Sequence, residues 1–199
     1  MKKLFLMVVA AMMATVSVNA QEEGKILVKP MVGGVLSTLV GDVDGAKMKV
    51  GIVAGAEGGY FFKDNIAVTV GVLYTMQGCK GDSDLGDVKY NYEYLNLPLL
   101  GNYYLPFDMP VRIALKAGGQ IGILTKAKQK IGSSEFDFKD HSQKIDFSVP
   151  MGIGVEFNNF VVDLRYNLGV TNIFKDDIFD STKVRNSVFM MTVGYQIPF

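Results

Sequence analysis

The segment FVVDLRYNLGV, residues 160–170, places two opposite charges, Asp163 and Arg165, among large apolar side chains. In a helix these side chains would be scattered around the axis, whereas in a strand successive side chains point to opposite faces. Asp163 and Arg165 then share one face of the strand. The other face carries Phe160, Val162, Leu164, Tyr166, Leu168 and Val170. The segment therefore predicts a strand whose two faces meet different surroundings.

The same alternation recurs along the chain. Residues 144–157, KIDFSVPMGIGVEF, have an apolar side chain at every second position, and residues 187–199, SVFMMTVGYQIPF, repeat the pattern. Alternation with a period of two is the signature of a strand with one apolar face. In the segment 90–104 that face carries Leu95, Leu97 and Leu99. Further segments with this alternation lie at about 26–39, 47–60, 65–77 and 111–123, which makes eight strands.

The links between these strands alternate in length. Short links are expected at 62–64, 106–110 and 158–159, and long polar links at about 41–46, 78–89, 126–143 and 171–186. Both termini then lie on the short-link side, as in outer-membrane barrels, and closure of the sheet leaves no edge unpaired. The predicted fold is all-β, an eight-stranded antiparallel up-and-down transmembrane barrel.

The N-terminus has the features of a secretory signal peptide. Lys2 and Lys3 precede an apolar run from Leu4 to Val18, and Val18-Asn19-Ala20 provides small residues at a cleavage site. We expect residues 1–20 to be removed and residues 21–199 to form a single barrel domain in the outer membrane. The 20 acidic and 20 basic residues balance, which gives no basis for nucleic-acid binding.

Alternation alone does not decide which face points outward, because a secreted lipocalin-like barrel alternates too. Three features favour lipid on the apolar side. The polar face is rich in small residues, which suits a narrow lumen. Phe199 ends the chain on the apolar face, which resembles the C-terminal signal read by the outer-membrane insertion machinery. Aromatic residues gather near the strand ends, as in interfacial girdles: Tyr60, Phe61, Phe62, Tyr74, Tyr90, Tyr92, Tyr103, Tyr104, Phe107, Phe157 and Phe160.

Charges on the polar face are expected to pair inside the barrel. Asp163 or Arg165 facing lipid at mid-depth would each cost about 2–4 kcal/mol. The candidate lumen charge network comprises Lys29, Glu57, Arg112, Lys116, Asp146, Glu156, Asp163 and Arg165, four bases and four acids. In an eight-stranded barrel, side chains can fill the interior. We therefore expect a plugged lumen and not an open pore.

Two segments and the C-terminus resemble the PorT-like outer-membrane β-barrel family of Gram-negative bacteria. They are YLNLPLLGNYYL at 94–105, LRYNLGVTNI at 164–173 and the closing VGYQIPF at 193–199. Asn96 is a departure, since the family often has Glu there. The resemblance implies the barrel fold over the whole mature chain and offers no catalytic residues to transfer.

The sequence contains few residues that could form a catalytic, metal or cofactor site. Asp140, His141 and Ser142 have the side chains of an acid–base–nucleophile set, but adjacent residues in extended chain point in opposite directions, so we expect no enzyme. The acidic stretches at 42–45 and 82–87 do not match a full calcium loop. We expect no metal, no cofactor, and an isolated thiol at Cys79.

The expected role is structural, or a surface interaction through the extracellular loops at 126–143 and 171–186, because binding often resides in long loops on a rigid scaffold. The alternative is a narrow passive, porin-like pore, or an accessory component of transport or secretion across the outer membrane. Expected partners are outer-membrane lipid and lipopolysaccharide, the insertion machinery during biogenesis, and an unidentified surface partner. The barrel is expected to be a monomer.

Overall fold

The structure is a computed structural model that describes residues 24–42, 47–83, 86–107, 110–131, 134–137, 142–173 and 184–199, with the backbone alone within 82–89 and 130–137. Residues 1–23, which include the predicted signal peptide, lie outside the described residues. The strands are β1 Ile26–Gly41, β2 Lys47–Lys63, β3 Ile66–Ser83, β4 Gly86–Tyr104, β5 Arg112–Ile131, β6 Ser134–Asp137, β7 Ile145–Phe157, β8 Phe160–Gly169, β9 Val184–Tyr195 and β10 Ile197–Pro198.

Eight of these strands form a closed antiparallel wall. The order is β1-β2-β3-β4-β5-β7-β8-β9, and β9 pairs back onto β1, for example through Val35 and Met190. The short β6 extends the hairpin of β5, and β10 continues the edge of β9 against β1. The predicted eight-stranded antiparallel barrel is confirmed. Among the described residues, no helix combines the length and the apolar character needed to cross a membrane.

The outward face of the wall forms an apolar belt. We define this apolar belt by the outward-facing residues within 66–76 of β3, 95–103 of β4, 113–123 of β5 and the corresponding parts of the other strands. Val50 is 71% exposed and Val70 60% exposed, whereas the inward Leu73, next to the 51% exposed Val72, is fully buried. Burial therefore follows the period of two that the sequence predicts.

Strands β3, β4 and β5 continue beyond the apolar belt at the end opposite the short turns. Residues 78–89, which the sequence analysis assigned to a loop, are paired in register up to Ser83 and Gly86. Likewise β5 reaches Ile131 within the predicted 126–143 loop. Both loop predictions were too long. The paired extensions bury Cys79, Tyr92, Tyr94 and Leu124 on their inner face, which outweighs the turn-like composition of this region.

Several aromatic residues face the lumen and not the membrane interface. Tyr60, Phe62 and Tyr103 point outward as expected of a girdle, but Phe61 and Tyr104 are buried inside with ring centroids 5.3 Å apart. Tyr92 is also buried and Tyr90 packs against the same interior cluster. The girdle assignment was wrong for these four residues, because each has the sequence parity of the inward face of its strand.

The lumen contains apolar layers that the sequence analysis did not predict. Their members are Leu27, Phe61, Ala67, Tyr104 and Ala114 near the short turns, Met31, Val35, Val53, Leu73, Val188 and Met190 beside β1–β3 and β9, and Leu39, Cys79, Tyr92, Tyr94, Leu124, Ala127, Ile173 and Val184 near the long hairpins. Strand β1 supplies apolar residues to both faces, so apolar and polar residues do not alternate regularly along it.

One inward glycine is required by the packing of the wall. A Cβ built on Gly118 of β5 would lie 2.0 Å from the carbonyl oxygen of Leu99 on β4, so only glycine allows the strands to approach this closely. The next residue, Gly119, faces outward, and a Cβ there would meet nothing within 4 Å. Small residues on the lumen side thus reflect tight space, as the sequence analysis inferred.

Candidate functional site

Five of the eight predicted lumen charges meet in the middle of the barrel. They are Lys29 on β1, Glu57 on β2, Lys116 on β5, and Asp163 and Arg165 on β8. None of the five residues is more than 5% exposed. Burying a charge is tolerated only when it is paired and hydrogen-bonded, so the geometry of this ion-pair cluster matters.

Lys29 joins the two acids of the ion-pair cluster. Its Nζ lies 2.6 Å from Asp163 Oδ2 and 3.0 Å from Glu57 Oε2. The other oxygen of Asp163, Oδ1, accepts a hydrogen bond from Nζ of Lys116. Each oxygen of the Asp163 carboxylate is therefore held by a different lysine.

Arg165 completes the cluster with a two-pronged contact. Its Nη1 and Nη2 donate to the two carboxylate oxygens of Glu57, the second over 2.8 Å, and Nη2 also lies 3.2 Å from Asp163 Oδ2. Such fork-to-fork pairing of a guanidinium and a carboxylate is among the strongest hydrogen-bonded ion pairs in proteins. Arg165 thereby fixes the orientation of both acids.

The ion-pair cluster crosses the full width of the lumen. In the order of the eight wall strands, β1 and β5 stand opposite each other. Lys29 from β1 and Lys116 from β5 both bind Asp163, which comes from β8 between them around the ring. The sequence places these residues inward by parity, and closure of the barrel brings them together. The cluster is a plug across the barrel axis.

The other three predicted charges lie at other levels of the lumen. Near the short turns, Glu156 accepts hydrogen bonds from Tyr104 Oη over 3.0 Å and Gln196 Nε2 over 2.8 Å. Its register partner Arg112 lies at the mouth, where its guanidinium carbon sits 4.3 Å from the centroid of the Tyr104 ring. This is cation–π geometry.

Asp146 belongs to a polar layer on the opposite side of the plug. Its Oδ2 accepts a hydrogen bond from Asn186 Nδ2 over 2.8 Å. Asp146 helps to line a small cavity that has room for about one water molecule. The cavity is also lined by Gln77, Asn96, Gln120, Ser148, Asn167, Gly169, Asn186 and Val188. This polar layer, the ion-pair cluster and the apolar layers occupy different levels of the described part of the lumen.

Sequence reasoning missed Tyr104, Asn186 and Gln196 as lumen hydrogen-bond partners of the acids. Tyr104 shares the parity of Tyr94 and Asn96, so its inward direction was available from the alternation. The acceptor of its hydrogen bond, Glu156, could not be predicted from the alternation, because that contact depends on which strands come close together when the sheet closes.

The candidate chemical residues offer no assembled reactive site in the described part of the chain. Asp140 and His141 lie outside the described residues, and Ser142 is buried. Within the part of the chain that is described, no group of three or more His, Cys, Asp or Glu side chains could hold a metal ion. Asp82 and Asp87 are register partners in the β3–β4 hairpin, so this stretch does not form an open loop.

Cys79 is enclosed in the apolar layer near the long hairpins. It is 3% exposed, and burial raises the pKa of its thiol to about 11. At neutral pH the side chain is therefore a thiol and a poor nucleophile, since the thiolate is the reactive form.

The ring order of the strands and the outward apolar belt agree with the comparisons. Residues 19–175 match the family described as outer membrane protein beta-barrel domain. The chain belongs to this outer-membrane barrel family. The protein is therefore an outer-membrane barrel. In such barrels the short turns face the periplasm and the longer loops face the exterior. A search of curated proteins found no match to the chain.

Solved structures share the fold of this outer-membrane barrel. Neisserial surface protein A (NspA) is 16% identical, with 87% of this chain and 99% of that chain covered and a TM-score of 0.52. OprG from Pseudomonas aeruginosa is 12% identical, with 91% and 99% covered and a TM-score of 0.55. Outer membrane protein AlkL in lipid bilayers is 14% identical, with 93% and 94% covered and a TM-score of 0.51. At these identities the likeness concerns the fold alone.

Proposed function

We propose that this outer-membrane barrel is a non-conducting, non-enzymatic protein that supports envelope structure or a surface interaction through its extracellular hairpins and loops. The observation that carries the proposal is the ion-pair cluster, in which Lys29 and Lys116 from opposite walls bind Asp163. Five buried, mutually paired charges occupy the axis that a solute would have to follow. Apolar layers lie on both sides of them.

The competing function is a narrow passive pore. Ion flow would require the Glu57–Arg165 contact and the lysine contacts to open, which exposes buried charges without partners and costs about 3–5 kcal/mol for each broken pair. We expect the purified barrel in planar lipid bilayers to show no conductance steps above the bare membrane. A porin inserted under the same conditions is the positive control, and reproducible ion-selective steps from the wild-type barrel would contradict the proposal.

The lumen itself is tested by removing one acid and one base of the ion-pair cluster together, while Lys29 and Lys116 keep Asp163 as their common acid. The double variant Glu57→Ala/Arg165→Ala deletes both halves of one pair, and the matched control Lys25→Ala/Lys63→Ala alters the periplasmic rim. We expect conductance events from the first variant only. If neither variant shows conductance, the remaining side chains of the lumen are sufficient to block ion flow.

We also propose that the protein belongs to the narrower PorT-like family of outer-membrane barrels. The segments 94–105 and 164–173 support it. Residues 94–104 lie on β4 and residues 164–169 on β8. A role as an accessory of secretion, as in the namesake of that family, predicts a stable complex with other envelope proteins. Purification after mild cross-linking tests this, and recovery of the barrel alone would favour the free-standing monomer.

We propose a cleavage site for the signal peptide and a signal for membrane insertion from sequence features near the two ends of the chain. Cleavage after Ala20 predicts a mature protein beginning at Gln21, which intact-mass measurement of the outer-membrane fraction checks. Phe199, proposed as the insertion signal, is 76% exposed, and its backbone N–H bonds to Ile26 of β1. Phe199→Ser should lower the folded, heat-modifiable fraction in the outer membrane, whereas Phe157→Ser at the same rim should not.

A further inference from the structure

One buried carboxylate of the lumen lies apart from the basic side chains. Asp146 on β7 is 8% exposed, and its Oδ2 accepts a hydrogen bond from Asn186. Its other oxygen, Oδ1, has no hydrogen-bond partner among the described residues. The hydroxyl of Thr171, near this carboxylate, donates to the carbonyl oxygen of Phe147. The described ion pairs of the lumen involve the two acids of the ion-pair cluster and not Asp146. Because buried charges are normally paired or bound to a metal, the Asp146 carboxylate needs a cation.

A second polar side chain at the same place is also unpartnered. Asn167 on β8 is 3% exposed, and neither its Oδ1 nor its Nδ2 has a hydrogen-bond partner among the described residues. Asn167 and Asp146 line the same small cavity, which we call the polar cavity. A buried polar atom without a partner costs about 1–3 kcal/mol. Three such atoms at one cavity therefore indicate a ligand that contacts them.

The other amides of the polar cavity use their NH₂ groups in hydrogen bonds to protein. Gln77 Nε2 and Asn96 Nδ2 each donate to Thr75 Oγ1 over 2.8 Å, and Gln120 Nε2 donates to Ser148 Oγ over 3.1 Å. Their carbonyl oxygens remain available for a further contact. Carboxylate and amide oxygens are the ligands that hard cations prefer. The residues around the polar cavity thus offer oxygen ligands to a cation.

A glycine keeps space among these oxygens. Gly122 on β5 stands between Asn96 on β4 and Asp146 on β7 in the register of the sheet. A Cβ built on Gly122 would lie 2.8 Å from Asn96 Oδ1, so a larger residue would press against that oxygen. The glycine therefore leaves room for a small ligand between two side chains that carry oxygen.

The charge and size of the polar cavity favour a small, singly charged ion without its hydration shell. One carboxylate neutralises one positive charge, whereas Ca²⁺ takes about 6–8 oxygen ligands and Mg²⁺ usually keeps several waters. The polar cavity has room for about one water molecule, which is too little for a hydrated ion. A water molecule in the same position would leave the charge of Asp146 uncompensated.

We propose that the polar cavity binds one Na⁺ ion, with Asp146 as the charged ligand and Asn167 as an amide ligand. The carbonyl oxygens of Gln77, Asn96 and Gln120 supply the neutral ligands. The bound ion cancels the charge of Asp146 and links side chains of five wall strands. The site lies on a different level from the ion-pair cluster and goes beyond the proposed function, because it does not depend on whether the lumen conducts.

The test measures urea unfolding of the full-length barrel in dodecyl maltoside micelles at pH 8, while NaCl replaces choline chloride at constant total salt. Choline is too large for the polar cavity and supplies ionic strength alone. A ligand that binds only the folded state lowers the unfolding equilibrium constant by the factor 1 + [L]/Kd. When Na⁺ exceeds its Kd about tenfold, we expect this constant to be about tenfold lower than in choline chloride. The larger K⁺ should have a smaller effect.

The decisive variant is Asp146→Asn, which removes the charge and keeps the shape of the side chain. Asp64→Asn, in the exposed turn between β2 and β3, is the matched control. Asn167→Leu, of similar volume, removes the amide ligand and provides a second variant. Heat-modifiable gel mobility establishes that each variant is folded. Since even an indirect partner of a bound metal is worth about 10–100-fold in affinity, both lumen variants should reduce the effect of Na⁺ to below about twofold, and the control should keep it.

Two results would overturn the proposal. One is an equal unfolding constant of wild type in all three salts, which a water molecule in the polar cavity or a protonated Asp146 would produce. The other is an effect of Na⁺ in Asp146→Asn as large as in Asp64→Asn, which would place the ion elsewhere on the protein.

Discussion

Lys29 and Lys116 come from opposite walls of the barrel and bind the two oxygens of one carboxylate, that of Asp163. The contact therefore joins parts of the sheet that share no backbone hydrogen bonds. The contact therefore links opposite sides of the barrel wall, in addition to occupying the lumen.

Removing the charge of Asp163 should destabilise the barrel strongly. Asp163→Asn leaves two buried lysines without their common acid, and breaking a buried ion pair in this way costs about 3–5 kcal/mol. The free energy of unfolding is measured by urea titration of the protein in lipid vesicles. Asp64→Asn, in the exposed turn between β2 and β3, is the control and should change it little. Equal stability of the two variants would show that the cluster contributes nothing net.

The two adjacent glycines of β5 should respond differently to a methyl group. Gly118→Ala places a Cβ 2.0 Å from the carbonyl oxygen of Leu99, so the strands must separate, whereas Gly119→Ala adds a methyl group in open space toward lipid. We expect Gly118→Ala to lose at least about 1–3 kcal/mol of unfolding free energy, as overpacking does, and Gly119→Ala to lose almost none. The same urea titration measures both, and a reversed order would contradict the register at this position.

Arginine substitutions should locate the centre of the membrane on β3. Val72, 51% exposed on the wall, lies near the middle of the apolar belt, and Met76 lies at its extracellular end. Val72→Arg should cost about 2–4 kcal/mol, and Met76→Arg about 0–1 kcal/mol. Unfolding in vesicles compares the two. If Val72→Arg were no more costly, the outward face of β3 would not be in contact with acyl chains.

The thiol of Cys79 should be protected in the folded barrel. A pKa raised to about 11 from an ordinary value near 9 leaves about a hundredfold less thiolate at pH 8, and burial limits access further. We expect iodoacetamide to modify Cys79 at least about a hundredfold more slowly in micelles than in concentrated urea. Lys63→Cys in a Cys79→Ser background provides an exposed thiol for comparison. Equal rates for the two folded proteins would place Cys79 outside the apolar layer.

The alternation in sequence was sufficient to predict the barrel and the direction of its charges. Asp163 and Arg165 point inward as predicted, because the period of two and the cost of a charge in lipid leave no other arrangement. The same alternation assigns Tyr104 to the inward face. The prediction that Tyr104 belongs to an interfacial girdle rested on its position near a strand end, and it was wrong.

Partner choice inside the lumen could not be predicted in the same way. Arg165 contacts Glu57 across 108 positions of sequence, and that pairing depends on strand order, tilt and closure. The extension of β3 and β4 past the apolar belt was also missed, because residues 78–89 contain glycine and aspartate. Pairing of the two strands and burial of Cys79 and Tyr92 decide their structure, and neither is a local property.

Among the described residues, β3 and β4 extend far beyond the apolar belt. From Met76 to Ser83, β3 rises roughly 20 Å along its own direction, while β8 ends at Gly169, close to the apolar belt. An antibody or another cell approaching the bacterial surface can reach the tips of β3 and β4 clear of the sugars nearest the bilayer. Epitope mapping on intact cells should therefore favour residues at this hairpin over those at the end of β8.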